Sequence, residues 1–472
     1  MKYIGEILKE SCINNQNKIA LIYKNIKITY GQLLEHSNIL SSRLGSKKHI
    51  GICFTNPLNF AVAYLSSLIN KNVVLLIPNR CTLKEAENLI HNSNCDLVLT
   101  DKKDFYKLDS NIPVRNIDEI DWDFSGIGNK ETYKETAILL QTSGSTSTPK
   151  IVMLSHLALY ENALAHNTHL EITSENVALV VTPLTSSYGH TTQFLSQLLI
   201  GGTLVFLPGP FTVGDFYCNV NKYNVISTGL VAAQIRLLIN SNISINIDSL
   251  NFIVCAGGPV SDRDMSEIKN KLPKTEVLRA YGLTEAGPRV TCCRRDNVDD
   301  LGTSGVPLCN VNVKIKRKDG SECREGQVGE IWVQSPSLFQ GYYLNYKSTN
   351  KIFKNGWLKT GDMGFLKAQR LTIIGRDSNK LIIGGYTVFL EEIEEFFMQI
   401  TDIKDVQVYS ESDALMDEKI VVDCVLNRKS SITQAILLDI CKQNLSSYKV
   451  PYKINIVESI IRSESGKLIR KK

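Results

Sequence analysis

Between two apolar runs, Ala137-Ile138-Leu139-Leu140 and Ile151-Val152-Met153-Leu154, lies a stretch made almost wholly of hydroxyl and glycine residues, Gln141-Thr142-Ser143-Gly144-Ser145-Thr146-Ser147-Thr148-Pro149-Lys150. The runs predict two buried strands and the stretch a loop between them. Such a loop has little to pack and much to donate. Its backbone N–H groups, hydroxyls and one ammonium suit phosphate oxygens. Gly144 permits close backbone approach, Pro149 stiffens the exit, and Lys150 adds a point charge. A Ser/Thr-rich surface turn has the same composition, so composition alone leaves both readings open. The spacing is not that of a Walker A loop, because no Gly-Lys-Ser/Thr follows the glycine.

Further stretches carry chemistry of a compatible kind. Phe252-Ile253-Val254-Cys255 is an apolar strand that ends in Ala256-Gly257-Gly258-Pro259, and small residues at the end of a buried strand leave room for a flat ligand. In Arg279-Ala280-Tyr281-Gly282-Leu283-Thr284-Glu285, Tyr281 offers an aromatic face and Gly282 lets the backbone close. Thr284 can donate to a phosphate, and Glu285 supplies the hard oxygen that Mg²⁺ prefers. Asp362, at the end of Gly356-Trp357-Leu358-Lys359-Thr360-Gly361-Asp362, can accept two vicinal hydroxyl hydrogens, with Gly361 keeping the approach clear. Taken singly, Gly-Gly-Pro and Thr-Gly-Asp are turns and the Tyr281 stretch a helix start.

Order and wording separate these readings. The loop resembles the Thr-Ser-Gly-Ser/Thr-Thr-Gly-x-Pro-Lys signature of the adenylate-forming ligases, the superfamily of acyl- and aryl-coenzyme A synthetases, peptide-synthetase adenylation domains and luciferases. Tyr281 to Glu285 resembles its Tyr-Gly-x-Thr-Glu, Trp357 to Asp362 its Trp-x-x-Thr-Gly-Asp, and Tyr448-Lys449-Val450-Pro451 with Ser465-Gly466-Lys467-Leu468 its last signature. The resemblance spans nearly the whole chain. It implies activation of a carboxylic acid, fatty or aryl, by ATP and Mg²⁺ to an acyl-adenylate, then thioester formation with coenzyme A or the pantetheine of a separate carrier protein. Thr142, Ser143, Gly144, Ser145, Thr146 and Lys150 would hold phosphates. Gly257, Gly258, Pro259, Ala280, Tyr281 and Gly282 would hold adenine, Asp362 the ribose, and Arg376 ribose or phosphate oxygens. Thr284 would meet the α-phosphate and Glu285 the metal. Lys467 would bridge carboxylate, α-phosphate and leaving pyrophosphate as charge develops. Three positions depart from the pattern: Ser147 replaces Gly, Ser378 the usual charged hinge residue, and Leu390 a common Pro. No role attaches to Arg289, and Gly341-Tyr342-Tyr343 is assigned to packing.

The resemblance also locates an acyl pocket. Pro183-Leu184-Thr185-Ser186-Ser187-Tyr188-Gly189-His190 would begin one wall, with Tyr188 and Gly189 beside the acid, and Leu230 and Val231 would supply another. Each of these is equally an adequate core residue. Between Pro183 and Leu204 there is no carboxylate to hold an α-ammonium, and burying that cation unpaired is prohibitive, which argues against an amino acid substrate.

The elements that must position these residues form an α/β pattern. A helix at Tyr3 to Leu8, a hairpin around Lys24-Asn25 and a capping box of Thr29 with Gln32 open the chain. Strands at 50–54, 73–77 and 97–99 then alternate with helices at 60–69 and 83–90, a βαβ spacing that predicts a parallel sheet covered by helices. Residues 101–135 read as a connection, 155–170 as a helix, 194–200 as an apolar helix, and 302–333 as turns with antiparallel strands resembling the family's small distorted barrel. After Arg376 the pattern becomes a small α+β unit. The expected fold is a large core of parallel-sheet subdomains plus a small barrel-like part in residues 1–375, and a small mobile α+β domain carrying Lys467 in 376–472.

Composition is compatible with this. At 472 residues, 43% apolar and 21% charged, the chain is long enough for a large core and a second domain. A net charge of +5 with scattered Lys and Arg gives no nucleic-acid footprint and suits a small polyanion. The twelve cysteines include no Cys-x-x-Cys pair and, with the scattered histidines, suggest no metal site. A reducing, cytoplasmic location is expected, as no cationic-plus-apolar leader is present. No apolar stretch reaches the ~20 residues that span a bilayer. No carrier domain follows Lys472, so the expected thiol is on a separate molecule.

Overall fold

The computed structural model describes residues 3–108, 111–119, 124, 126, 135–142, 150–243, 247–295, 302–383, 386–413, 417–428, 430–462 and 468–471. Continuous apolar runs such as Val73–Leu76 and Leu97–Thr100 are buried on both faces, as central strands of parallel sheets are. They belong to a seven-stranded sheet ordered Gly341–Tyr342, Ile151–Ser155, Thr136–Gln141, Val73–Leu76, His49–Cys53, Leu97–Thr100, Val114–Arg115. A nine-stranded sheet runs Val306–Pro307, Arg289–Cys292, Glu276–Gly282, Phe252–Cys255, Ser227–Leu230, Val177–Val180, Thr203–Phe206, Ile19–Tyr23, Ile26–Thr29. Its central strands are parallel and both edges antiparallel.

Helices Ile4–Asn14, Tyr30–Leu44, Pro57–Ile69 and His156–His169 fill the space between the two sheets and share one core with them, including Leu21, Ile52, Leu65, Leu159 and Phe194. Separate clusters cover the outer faces: Phe216, Ile235 and Ile268 on the nine-stranded sheet, Leu89, Ile90 and Phe105 on the seven-stranded one. The capping box forms as the sequence predicts: Thr29 Oγ1 accepts from the Gln32 N–H at 3.2 Å, and Gln32 Oε1 from the Thr29 N–H at 2.9 Å. An antiparallel five-stranded sheet, Asn312–Lys316, Gly329–Gln334, Trp357–Lys367, Phe353–Lys354 and Arg370–Arg376, follows. The expected α/β class, with its parallel halves, antiparallel part and α+β end, is the fold observed.

Two elements differ from expectation. The helix expected at 194–200 begins at Ser187, where Ser186 Oγ caps it by accepting from the Gly189 N–H at 3.1 Å, and passes through a π-helical stretch, His190–Leu195. A strand at Lys453–Ile456 completes the last sheet by pairing parallel to Asp417–Leu426. No helix among the described residues is long and apolar enough to cross a membrane.

A fourth apolar cluster is confined to residues 381–454, and none of its members belongs to the other cores. Polar groups join the two. Arg236 bonds Asp264 at 2.9 Å and Asp405 at 3.2 Å, and Asp405 also takes Arg462 at 2.6 Å. Arg263 donates to the carbonyls of Met398, Ile400 and Ile403 at 3.4, 2.9 and 3.3 Å. The Asp262 N–H donates to Glu395 at 3.1 Å.

Three histidines buried between the sheets make stability pH-dependent. Burial holds His156 down at about 4 and His190 at about 3, and lowers His166 as well. An unfolded histidine titrates near 6.5. Below that pH the unfolded chain binds protons that the folded one does not, so this stability is complete above about 6.5 and is lost as pH falls toward about 4. The melting temperature is expected to drop across that window. His190→Phe, which keeps a ring against Tyr64, should flatten the drop, and an unchanged slope would exclude His190 as a source.

Candidate active site

Because neighbouring strands of the nine-stranded sheet run parallel, their carboxyl ends share one rim, where ligands of open α/β sheets bind. Val177–Val180 leads there to the helix start with Tyr188. Ser227–Leu230 delivers Gly229 and Val231, Phe252–Cys255 the exposed turn Gly257-Gly258-Pro259, and Glu276–Gly282 the pair Thr284 and Glu285. Gly257 has φ +83°, a left-handed conformation natural to glycine, and a Cβ there would meet Val231 at 3.2 Å. Gly282 has no alternative either, since a Cβ would lie 1.9 Å from the Pro288 carbonyl oxygen.

The antiparallel sheet brings Asp362 to this rim. The Tyr281 hydroxyl donates to Asp362 Oδ2 at 2.6 Å, and Arg376 Nε meets Oδ1 at 3.0 Å. Burial and the neighbouring carboxylate push the Tyr281 phenol well above its ordinary value, so it stays a donor. Arg376 is raised too, chiefly by Asp362. Asp362 is 5% exposed and Arg376 is open to solvent, placing a fixed carboxylate behind a movable cation.

From the other side, Tyr342 donates its hydroxyl to Glu285 Oε1 at 2.8 Å, and Lys150 Nζ lies 4.6 Å from the Tyr342 ring centroid. Burial and the Glu285 charge raise the Tyr342 phenol, which therefore remains protonated. The Thr142 N–H donates to the Lys150 carbonyl at 2.9 Å, closing the base of the loop. Ser187 and Thr284 share a hydroxyl contact of 2.9 Å. Two contacting groups, Lys150–Tyr342–Glu285 and Tyr281–Asp362–Arg376, thus stand at one rim, linked along the chain from Tyr281 to Glu285 and drawn from both large sheets and the antiparallel one. Ser143, Gly144, Ser145, Thr146 and Lys467 lie outside the described residues, as does the Ser147 departure.

Tyr342 and Ser187 were not expected at the site. The packing assigned to Gly341-Tyr342-Tyr343 holds for Tyr343, which is buried against His49. Tyr342 is brought to Glu285 because its strand pairs with Ile151–Ser155, a long-range register that no local pattern announces. Among the pocket candidates, Tyr188 is buried and donates to the Val254 carbonyl at 2.8 Å, and Gly189 is packed against Pro183. Leu230 faces the other way. Side chains alternate along a strand, so with Gly229 and Val231 toward Tyr188, Leu230 enters the outer core with Phe216 and Ile235.

Residues 8–343 match the family model described as AMP-binding enzyme. The chain belongs to the AMP-binding enzymes. The model of the AMP-binding enzyme C-terminal domain matches residues 392–467. Relatives of this AMP-binding enzyme include the 2-succinylbenzoate–CoA ligase of Bacillus subtilis, 27% identical over 96% of this chain and 94% of that one. The long-chain-fatty-acid–CoA ligase of Haemophilus influenzae is 26% identical over 78% of this chain and 66% of its own. In fold, the o-succinylbenzoate CoA synthetase of Bacillus subtilis in complex with the acyl-adenylate intermediate OSB-AMP superposes with a TM-score of 0.88 at 24% identity, covering 98% and 96% of the two chains. The amide bond synthetase McbA of Marinactinospora thermotolerans gives 0.89 at 18% identity, covering 98% of each.

Proposed function

We propose that this AMP-binding enzyme is an AMP-forming acid–thiol ligase that activates an aryl or fatty carboxylic acid with ATP and passes the acyl group to coenzyme A. The observation that carries this is the pair of groups Lys150–Tyr342–Glu285 and Tyr281–Asp362–Arg376, which set two cations and two carboxylates on a single rim. Relatives named for coenzyme A ligation of an aryl acid and of long-chain fatty acids support the same reading.

In this mechanism the acid enters already ionised, so no proton need be removed. Its carboxylate oxygen bonds to the α-phosphorus of ATP while the α–β bridging bond breaks, releasing pyrophosphate and leaving the mixed anhydride. Thr142, Ser143, Gly144, Ser145, Thr146 and Lys150 hold phosphate oxygens, and Thr284 steadies the α-phosphate. Tyr281 packs on adenine, with Gly257, Gly258, Pro259, Ala280 and Gly282 leaving space for it. Asp362 accepts from the ribose hydroxyls as Arg376 swings outward. Tyr188, Gly189 and Val231 border the acid. Glu285 suits Mg²⁺: one of its oxygens is engaged by Tyr342, and no cluster of three or more His, Cys, Asp or Glu exists among the described residues, so the ion would rest on one carboxylate, phosphate oxygens and water, as Mg²⁺ commonly does. When bound, it would offset charge on the phosphates. Residues 376–472 form the mobile part in this reading, presenting Lys467 first and then turning about Ser378, after which the thiol attacks the acyl carbon and AMP leaves.

The test is pyrophosphate release by the purified protein over fatty, aryl and amino acids, with and without coenzyme A. Release that depends on an aryl or fatty acid, with thioester formed only when coenzyme A is added, is the expected result. Adenylate without thioester would transfer the acceptor role to a carrier protein, and no release with any acid would sink the reading.

A further inference from the structure

Below the rim sits a charge that the mechanism above leaves unused. Arg289 opens the strand Arg289–Cys292 and is 2% exposed. Its guanidinium carbon lies 5.2 Å from the Tyr188 ring centroid, one Nη reaches Thr192 Oγ1 at 3.4 Å, and Nε has no partner. No carboxylate pairs with it among the described residues. The titratable groups around it are neutral: burial lowers His166 and His169, raises the Tyr188 phenol, and pushes the Cys292 thiol up to about 12. Arginine does not shed its proton in a protein. A buried cation without an anion is costly, and proteins ordinarily pair such a charge.

The surroundings show where an anion would come from. Arg289, Tyr188, Thr192, Gln193, Gly229 and Val254 line a cavity with about 20 Å³ of room for the centre of a water-sized sphere, enough for a small oxygen-bearing group. Two further polar atoms in this wall, His166 Nδ1 and Gln193 Oε1, are also buried without partners. Tyr188, which the acid-activating reading places beside the acid, also lines this cavity, with the guanidinium against its ring.

We propose that the acid activated here carries a second carboxylate, which Arg289 binds at the inner end of the acyl pocket while the first carboxylate meets ATP. The inference rests on the acid-activating reading of the rim. A planar guanidinium with one Nε–H and spare Nη–H groups can hold a carboxylate by two parallel bonds, and the aromatic face of Tyr188 supports the cation from behind.

The experiment compares each free diacid with its own monomethyl ester: succinate, glutarate, adipate and phthalate, alongside hexanoate and benzoate, in ATP- and Mg²⁺-dependent pyrophosphate release by the wild-type protein. At least one diacid is expected to exceed its ester in kcat/KM by on the order of 10- to 100-fold, the scale of a charged hydrogen bond to a buried partner. Arg289→Met should bring that ratio close to one by raising KM for the diacid, and Arg289→Lys should keep part of it. Esters and simple monoacids matching every diacid in the wild type would overturn the proposal, with no variant needed. So would an unchanged diacid-to-ester ratio in Arg289→Met, which would leave Arg289 a packing partner of Tyr188. Absence of release with every acid would instead remove the adenylation reading itself.

Discussion

Lys467→Ala is expected to lower acid-dependent pyrophosphate release by roughly 10²- to 10³-fold, the usual loss when one preorganised donor to a developing charge is removed. The physical reason is repulsion. Carboxylate and α-phosphate are both anions, and two unit charges brought to ~4 Å in a medium of effective dielectric ~20 oppose each other by about 4 kcal/mol. An ammonium between them cancels most of that term, and a methyl group cancels none. In the proposed reading the loop after Gln141, Tyr281 and Asp362 hold ATP, so its affinity should change little. The check is acyl-adenylate formed in a single turnover, with ATP binding measured by titration on the same sample. Wild-type release from Lys467→Ala would dismiss the assignment, and lost ATP binding would recast Lys467 as a nucleotide contact only.

Asp362→Asn should raise KM for ATP by on the order of 10- to 100-fold, the equivalent of losing a charged hydrogen bond. The carboxylate now presents two acceptor oxygens, one to Tyr281 at 2.6 Å and one to Arg376 at 3.0 Å. An amide can still accept from Tyr281, but its NH₂ then faces the guanidinium, donor against donor. The free protein should lose stability as well, by about 1–3 kcal/mol for a buried polar group left without its partner. 2′-DeoxyATP separates the two effects. The wild type should discriminate against it and Asp362→Asn should not, whereas equal discrimination by both proteins would rule out the ribose contact.

Much of the scaffold could be read directly because local chemistry and fold agree in it. Thr29 with Gln32, the Val73–Leu76 run and the hairpin at Lys24-Asn25 each state their conformation within a few residues. The helix start at Ser187 was hidden, since Ser-Ser-Tyr-Gly has loop composition and only the Ser186 cap turns it helical. Lys453–Ile456 is a short alternating tetrapeptide whose strand depends on a partner far back in the chain. Leu230 shows a different shortfall: Leu and Val side by side cannot both face one pocket from a strand, and the alternation decides against Leu230. Tyr342, Ser187 and Arg289 were silent because what distinguishes them is whom they meet, and those meetings depend on strand order and register.

The named bonds between the core of residues 381–454 and the large core come from arginines, carboxylates, a backbone N–H and helix-end carbonyls: Arg236 with Asp405, Asp262 with Glu395, and Arg263 with the carbonyls after Phe397. None of these named bonds is an apolar contact. The side chains of these pairs are mostly shielded from water, and shielded ion pairs are screened by salt far less than exposed ones, so the bonds should hold nearly as firmly at high ionic strength as at low.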